Sequence, residues 1–373
     1  PESAQLLDLE WNLVPSGHVY ISKRIEHCNW AQVVEGGIDT SHGSFLHRKL
    51  SLDLYPAATR DKQYVFKSRN PHFEVVDSEN GLLIGARREA DSDHWIWGLT
   101  QFLMPFYSMI PRVTPTPLIG GHAWVPQDDE RTVAWSMTWH PTRPLTGQEL
   151  HDMMYGGRTI HVAIDDFLPE TSAPDGAWLP AQTRENNYRR DLEIERTQDF
   201  SGIKGIGMQD AAVQEGMGAI YDRTKEHLGT TDLAIIRARQ LWLQSARELR
   251  DRGATPRGAN DAAAYRVRSG AVMLDKNDPA SWVEAVRERV VARPGMHFEE
   301  GWGDAVPGEA VYSLVLRESG EHPPNPLGKG RHPSALQPKP EVPDEPQHRS
   351  PDRTSPVEGI RKPCRSRRGL GQA

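Results

Sequence analysis

Two hydrophobic rhythms run along this chain. Five segments carry apolar groups at every second position: KQYVFKS, HFEVVDS, GLLIGARRE, HAWVPQ and RTVAWSMTWHP. That is the period of a half-buried strand. Turn signals such as Asn80-Gly81 and the acidic run Gln127-Asp128-Asp129-Glu130 separate them, so they predict a twisted antiparallel sheet. In the last segment Val133, Trp135, Met137 and Trp139 share one face, which needs a core or a ligand against it. Helical spacing occupies residues 29–48 with a disturbed end, 148–155, 208–223 and 232–252. Gly253 predicts the stop of the last helix, Thr230 or Thr231 its cap, and Ile235, Trp242, Ala246 and Leu249 its buried stripe. Strands grouped apart from helices predict an α+β fold.

Composition narrows the picture. Residues 320–373 hold 11 of the 29 prolines and a net charge of +4 without periodicity, which predicts a disordered, Pro-rich basic tail. The chain of 373 residues carries a net charge of −7, which argues against coating nucleic acid and favours small-molecule ligands. The greasiest stretch, residues 94–111, is broken by Thr100, Gln101 and Pro105 and predicts no membrane span. The acidic opening PESAQLLDLEWNLVP does not read as a signal peptide. Cys28 and Cys364 are the two cysteines, too few for a disulfide framework or a cysteine-held cluster, and they fit a cytoplasmic protein. Cys28 reads as a small buried hydrophobe. A P-loop, a dinucleotide fingerprint and a nucleophile elbow are all missing from the sequence.

Candidate chemistry concentrates in NWAQVVEGGIDTSHGSFLHR, residues 29–48, which gathers Glu35, Asp39, His42 and His47. Asp39 and His42 are neighbours on a helix face, so the carboxylate can accept the imidazole N–H that a metal leaves free. His42 and His47 sit about 140° apart on a regular helix. Both reach one ion only if the helix distorts or ends between them, for which Gly43 offers a place. Two imidazoles and a carboxylate with open positions suit mononuclear non-haem Fe(II), while zinc remains the competing metal. With 15 histidines in the chain, an ordinary pair of partly buried histidines is the alternative.

The run Asn29-Trp30-x-Gln32-x-x-Glu35-Gly36-Gly37-Ile38-Asp39-x-x-His42-x-x-Phe45-Leu46-His47 resembles the iron-binding segment of the Rieske non-haem iron ring-hydroxylating oxygenases, in the phthalate 4,5-dioxygenase branch. VYISKR before it and FSGIKGIGMQDAAVQEGMGAIYDRTKEHLG, residues 200–229, resemble the same branch. The resemblance implies His42, His47 and Asp210 as iron ligands, and Asp39 as the carboxylate that bonds a ligand histidine and conducts the electron. Taken alone, Asp210 reads as an exposed acid near a helix N-terminus. Glu215 reads equally as a neighbour of the site or a surface acid. The fold implied is a helix-grip domain, a curved antiparallel sheet around a long helix. Trp95, Trp97, Phe102, Met104 and Trp139 are candidates for lining an aromatic pocket, with plain core packing equally open.

The family's C-x-H and C-x-x-H pairs, which hold a Rieske [2Fe–2S] cluster, are not in this sequence. The expectation is therefore a linker remnant at 1–15, an iron catalytic domain at 16–319 and the tail at 320–373. The resemblance implies an oxygenase that hydroxylates an aromatic substrate, such as an aromatic carboxylate, with Fe(II), O2 and electrons from a Rieske domain or separate chain. An NAD(P)H-dependent reductase would supply that centre, the full-length form would be a homotrimer, and the chain alone would be inactive. The alternative is a non-enzymatic or vestigial helix-grip domain that binds aromatic ligands.

Overall fold

Among the described residues of the computed structural model, eight strands pair into one antiparallel sheet: β1 (Val19–Glu26), β2 (His72–Asp77), β3 (Gly81–Glu89), β4 (His94–Leu103), β5 (Tyr107–Ile110), β6 (Ile119–Pro126), β7 (Thr132–Trp139) and β8 (Gly270–Asp275). The structure describes residues 6–54, 67–111, 118–155, 159–173, 176–278 and 280–293. Strand order is β1-β7-β6-β5-β4-β3-β2, an open sheet, with β8 paired to the first part of β4 and β5 to its last three residues. The helices described are α1 (Glu10–Leu13), α2 (Trp30–Ile38), α3 (Gly147–Tyr155), α4 (Leu192–Thr197), α5 (Ile206–Gly216), α6 (Leu233–Arg252) and α7 (Trp282–Val286). The α+β class expected from the sequence is the class observed.

Each face of the sheet has its own cover. Phe73, Leu82, Ile84, Ala86 and Phe102 pack against α2 and against Ala234, Ala238 and Leu241 of α6. On the opposite face Trp97, Leu99 and Val272 meet α7, while Met137 and Trp139 meet Trp11 of α1. Burial on both sides explains why β4 does not alternate and escapes a period-two search. The same sidedness corrects the pocket expectation. Trp97 stacks on Trp282 and Trp139 meets Trp11 edge-on, with Trp95 beside them, all on the face away from α2 and α6. Phe102 and Met104 lie on the helix side but are core residues.

HFEVVDS, GLLIGARRE, HAWVPQ and RTVAWSMTWHP fall on β2, β3, β6 and β7. KQYVFKS lies almost wholly outside the described residues, as does the tail at 320–373. The long helix α6 stops at Gly253 as expected, where a φ of 67° suits glycine. Its start differs: neither Thr230 nor Thr231 caps it, because both belong to a 3-10 turn that Asp232 closes by accepting from the Gly229 N–H at 2.7 Å. Its buried stripe also differs. Ala234, Ala238, Leu241 and Ser245 face the sheet, Ile235 and Trp242 flank them, and Ala246 and Leu249 are exposed. Small residues hold the inner line because they let the helix lie close to the strands. Helix α5 is shorter than residues 208–223, ending at Gly216 before Gly218 turns at a φ of 95°.

Candidate metal centre

Helix α2 begins under an Asn29 cap, whose side chain accepts from the Ala31 N–H at 3.0 Å, and it ends before either histidine. The break therefore comes at Asp39 and not at Gly43. Asp39 accepts from the Ser41 N–H at 2.8 Å, the Ser41 hydroxyl at 2.6 Å and the His42 N–H at 3.3 Å. These bonds replace helical ones and turn the chain into a 3-10 segment, His42–Ser44. Arg88, buried, braces the same turn by donating to the Thr40 carbonyl and the Ser44 hydroxyl, both at 3.2 Å.

Two adjacent glycines set how closely α2 approaches its neighbours. A Cβ at Gly36 would come within 2.3 Å of Gln214 Nε2 on α5. A Cβ at Gly37 would come within 2.8 Å of both Ser108 Oγ on β5 and Trp124 Nε1 on β6. Gln32 completes the link to α5, donating to the Gln214 and Gly218 carbonyls and accepting from the Tyr221 N–H.

This packing places Asp210, on α5, beside the two histidines. His42 Nε2 lies 3.1 Å from His47 Nε2 and 3.4 Å from Asp210 Oδ1, and His47 Nε2 lies 3.1 Å from the same oxygen. Among the described residues this is the cluster whose ligand atoms could hold a metal ion. Metal–nitrogen bonds of about 2.1 Å require ligand separations of about 3.0 Å at octahedral angles and about 3.4 Å at tetrahedral ones. The triangle fits either. Side-chain exposures of 28% for His42, 17% for His47 and 22% for Asp210 leave the cluster open on one side.

The charges of the cluster act strongly on one another. Burial opposes ionisation of Asp210, yet His47 and His42 hold its carboxyl far below the usual range. Burial likewise opposes a charged His42, but Asp210 and Asp39 push its pKa up to about 10. Asp39 lies 3.5 Å from His42 Nδ1, the geometry expected of a carboxylate that orients the ring.

The other candidates have different work. Glu35 points away from the triangle and accepts from Arg223 and Arg239, each at 2.7 Å, which ties α2 to α6. Glu215 accepts from the His27 N–H at 2.9 Å and the Tyr188 hydroxyl at 2.6 Å, so it braces α5 and is not a plain surface acid. Cys28 is fully buried. Sequence reasoning missed two residues: Arg88, and Gln209, whose Oε1 lies 2.7 Å from His47 Nδ1. Gln209 adjoins Asp210, but its partner is 162 positions away and no local rule links them.

A family profile described as "LigXa C-terminal domain like" matches residues 2–299. The chain belongs to this family of Rieske oxygenase catalytic domains. It is 31% identical over 302 residues to the 3-chlorobenzoate-3,4-dioxygenase oxygenase subunit of Comamonas testosteroni, covering 77% of this chain and 66% of that protein. It is 30% identical over 246 residues to the phthalate 4,5-dioxygenase oxygenase subunit of Pseudomonas putida, covering 62% and 52%. The chain thus spans between half and two thirds of those relatives. A solved structure of dicamba monooxygenase bound to 3,6-dichlorosalicylic acid aligns at 11% identity and a TM-score of 0.33, over 64% of this chain and 62% of that one. No helix among the described residues is long and apolar enough to cross a membrane.

Proposed function

We propose that His42, His47 and Asp210 hold one Fe(II) ion and that the chain is the catalytic part of an aromatic ring-hydroxylating oxygenase. The observation that carries this reading is the triangle of ligand atoms, 3.1–3.4 Å on a side, in a member of this family. Two imidazoles and one carboxylate leave metal positions free for oxygen and substrate, and iron supplies the oxygen-activating redox chemistry when bound. The chain's own residues do the rest. Asp39, 3.5 Å from His42 Nδ1, orients that ring and offers a path for electrons to the metal. Gly37 lets α2 lie against the sheet and Gln32 ties it to α5, which fixes the spacing of the histidines from Asp210.

The substrate proposed is an aromatic carboxylate, because both relatives are named for one. Electrons come from a Rieske [2Fe–2S] centre on another domain or chain, since neither Cys28 nor Cys364 stands in a C-x-H or C-x-x-H pair, and from a reductase behind it. Anaerobic titration of the protein with Fe(II) tests the reading. One equivalent should bind, and His42→Ala, His47→Ala and Asp210→Ala should each abolish it. Asp39→Asn should keep the metal at about 10–100-fold weaker affinity. Wild-type protein that takes up no Fe(II), or alanine variants that bind it equally well, would sink the proposal.

A further inference from the structure

We infer that, within the metal centre proposed above, Gln209 is a positioning residue that fixes the tautomer and orientation of His47. Gln209 is buried, and its amide makes two bonds in opposite directions. Nε2 donates to the Ile203 carbonyl at 2.9 Å, which only the nitrogen end of the amide can do. Oε1 is thereby turned toward His47 Nδ1 at 2.7 Å and must accept from it. The Nδ1 proton is held there, so the Nε2 lone pair faces Asp210 and His42, the orientation a ligand needs.

The two imidazoles are therefore backed unequally. Asp39, a carboxylate, stands 3.5 Å behind His42, whereas a neutral carboxamide stands 2.7 Å behind His47. A charged acceptor makes its imidazole the more basic donor, which leaves His47 the weaker of the two. The backing of His47 also comes from α5, the helix that carries Asp210. One helix thus supplies a ligand and aims another.

Two substitutions separate aiming from scaffolding. Gln209→Met and Gln209→Glu both lose the bond to the Ile203 carbonyl, but only the methionine removes the oxygen that accepts from His47. Thermal unfolding of the metal-free protein should fall by a similar amount in both. Fe(II) affinity should fall about 10–100-fold in Gln209→Met and stay at or above the wild-type value in Gln209→Glu. The EPR spectrum of the Fe(II)–nitric oxide adduct should change in both variants, because the basicity of His47 changes in opposite directions. Should Gln209→Met not fold, Gln209→Asn, too short to reach His47, replaces it with the same expected loss. Equal affinities in all forms, or equal losses in both variants, would overturn the role of Gln209. Wild-type binding that survives His47→Ala unchanged would overturn the metal centre itself.

Discussion

Adding one methyl group at Gly37 probes how closely α2 must lie on the sheet. A Cβ there meets Ser108 Oγ and Trp124 Nε1 at 2.8 Å and Trp124 Cε2 at 3.1 Å. Trp124 and Ser108 are both buried and joined by a hydrogen bond of 3.0 Å, so neither has free space to move into. The helix must lift or the indole must tilt, at an overpacking cost of about 1–3 kcal/mol. Breaking the buried indole bond adds about 1 kcal/mol, while alanine returns about 1 kcal/mol through helix propensity. The expected net loss for Gly37→Ala is about 1–3 kcal/mol. Gly36→Ala is the internal control, since it gains the same propensity. Its Cβ meets only the amide tip of Gln214, whose Oε1 makes no hydrogen bond and whose side chain can swing aside. That variant should stay within about 1 kcal/mol of wild type. Urea unfolding of the two metal-free variants supplies the comparison. If Gly37→Ala is as stable as Gly36→Ala, the close approach of α2 to β5 and β6 does not govern this site.

Two further outcomes follow from charged groups remote from the candidate metal centre. Glu35→Gln keeps one acceptor oxygen but leaves Glu226 as the one carboxylate that Arg223 and Arg239 share. It should cost about 2 kcal/mol in urea unfolding, less than a fully buried pair because both arginines reach solvent; a loss under about 0.5 kcal/mol would contradict the clamp between α2 and α6. Glu149 is bonded by Arg143 at 2.7 and 2.8 Å, and also by the Thr146 N–H, which lowers its pKa to about 2. A depressed carboxyl stabilises the fold above its unfolded pKa of about 4.3 and loses that contribution as pH falls toward its folded value. Glu149→Gln should therefore cost about 1–2 kcal/mol at pH 6, after discounting for solvent screening, and progressively less below pH 4.5. A difference that does not change with pH would refute this assignment.

The sequence by itself determined the features that depend on near neighbours. The bounds of β3 followed from the turn signal Asn80-Gly81 and the apolar run that gives way to charge at Arg87–Glu89, and the end of α6 from Gly253. Asp39, His42, His47 and Asp210 could be named because their motifs are contiguous runs. The class of fold followed from strands and helices falling in separate stretches. The break at Asp39, expected at Gly43, also has a local cause, a serine two positions on whose N–H and hydroxyl the acid captures.

Tertiary structure decided what depends on which groups meet. Strand β4 carries large residues on both faces, and only the layers above and below it reveal that both are covered. Trp97 and Trp139 look like pocket residues in the sequence, but α1 and α7 claim them. Gln209 aims His47 across 162 positions, and Glu35 reaches Arg239 across 204. Hydrophobic period records how each segment is solvated, and it holds no memory of its partner. The triangle of His42, His47 and Asp210 forms where Gly37 lets α2 lie against β5 and β6 and where Gln32 ties α2 to α5.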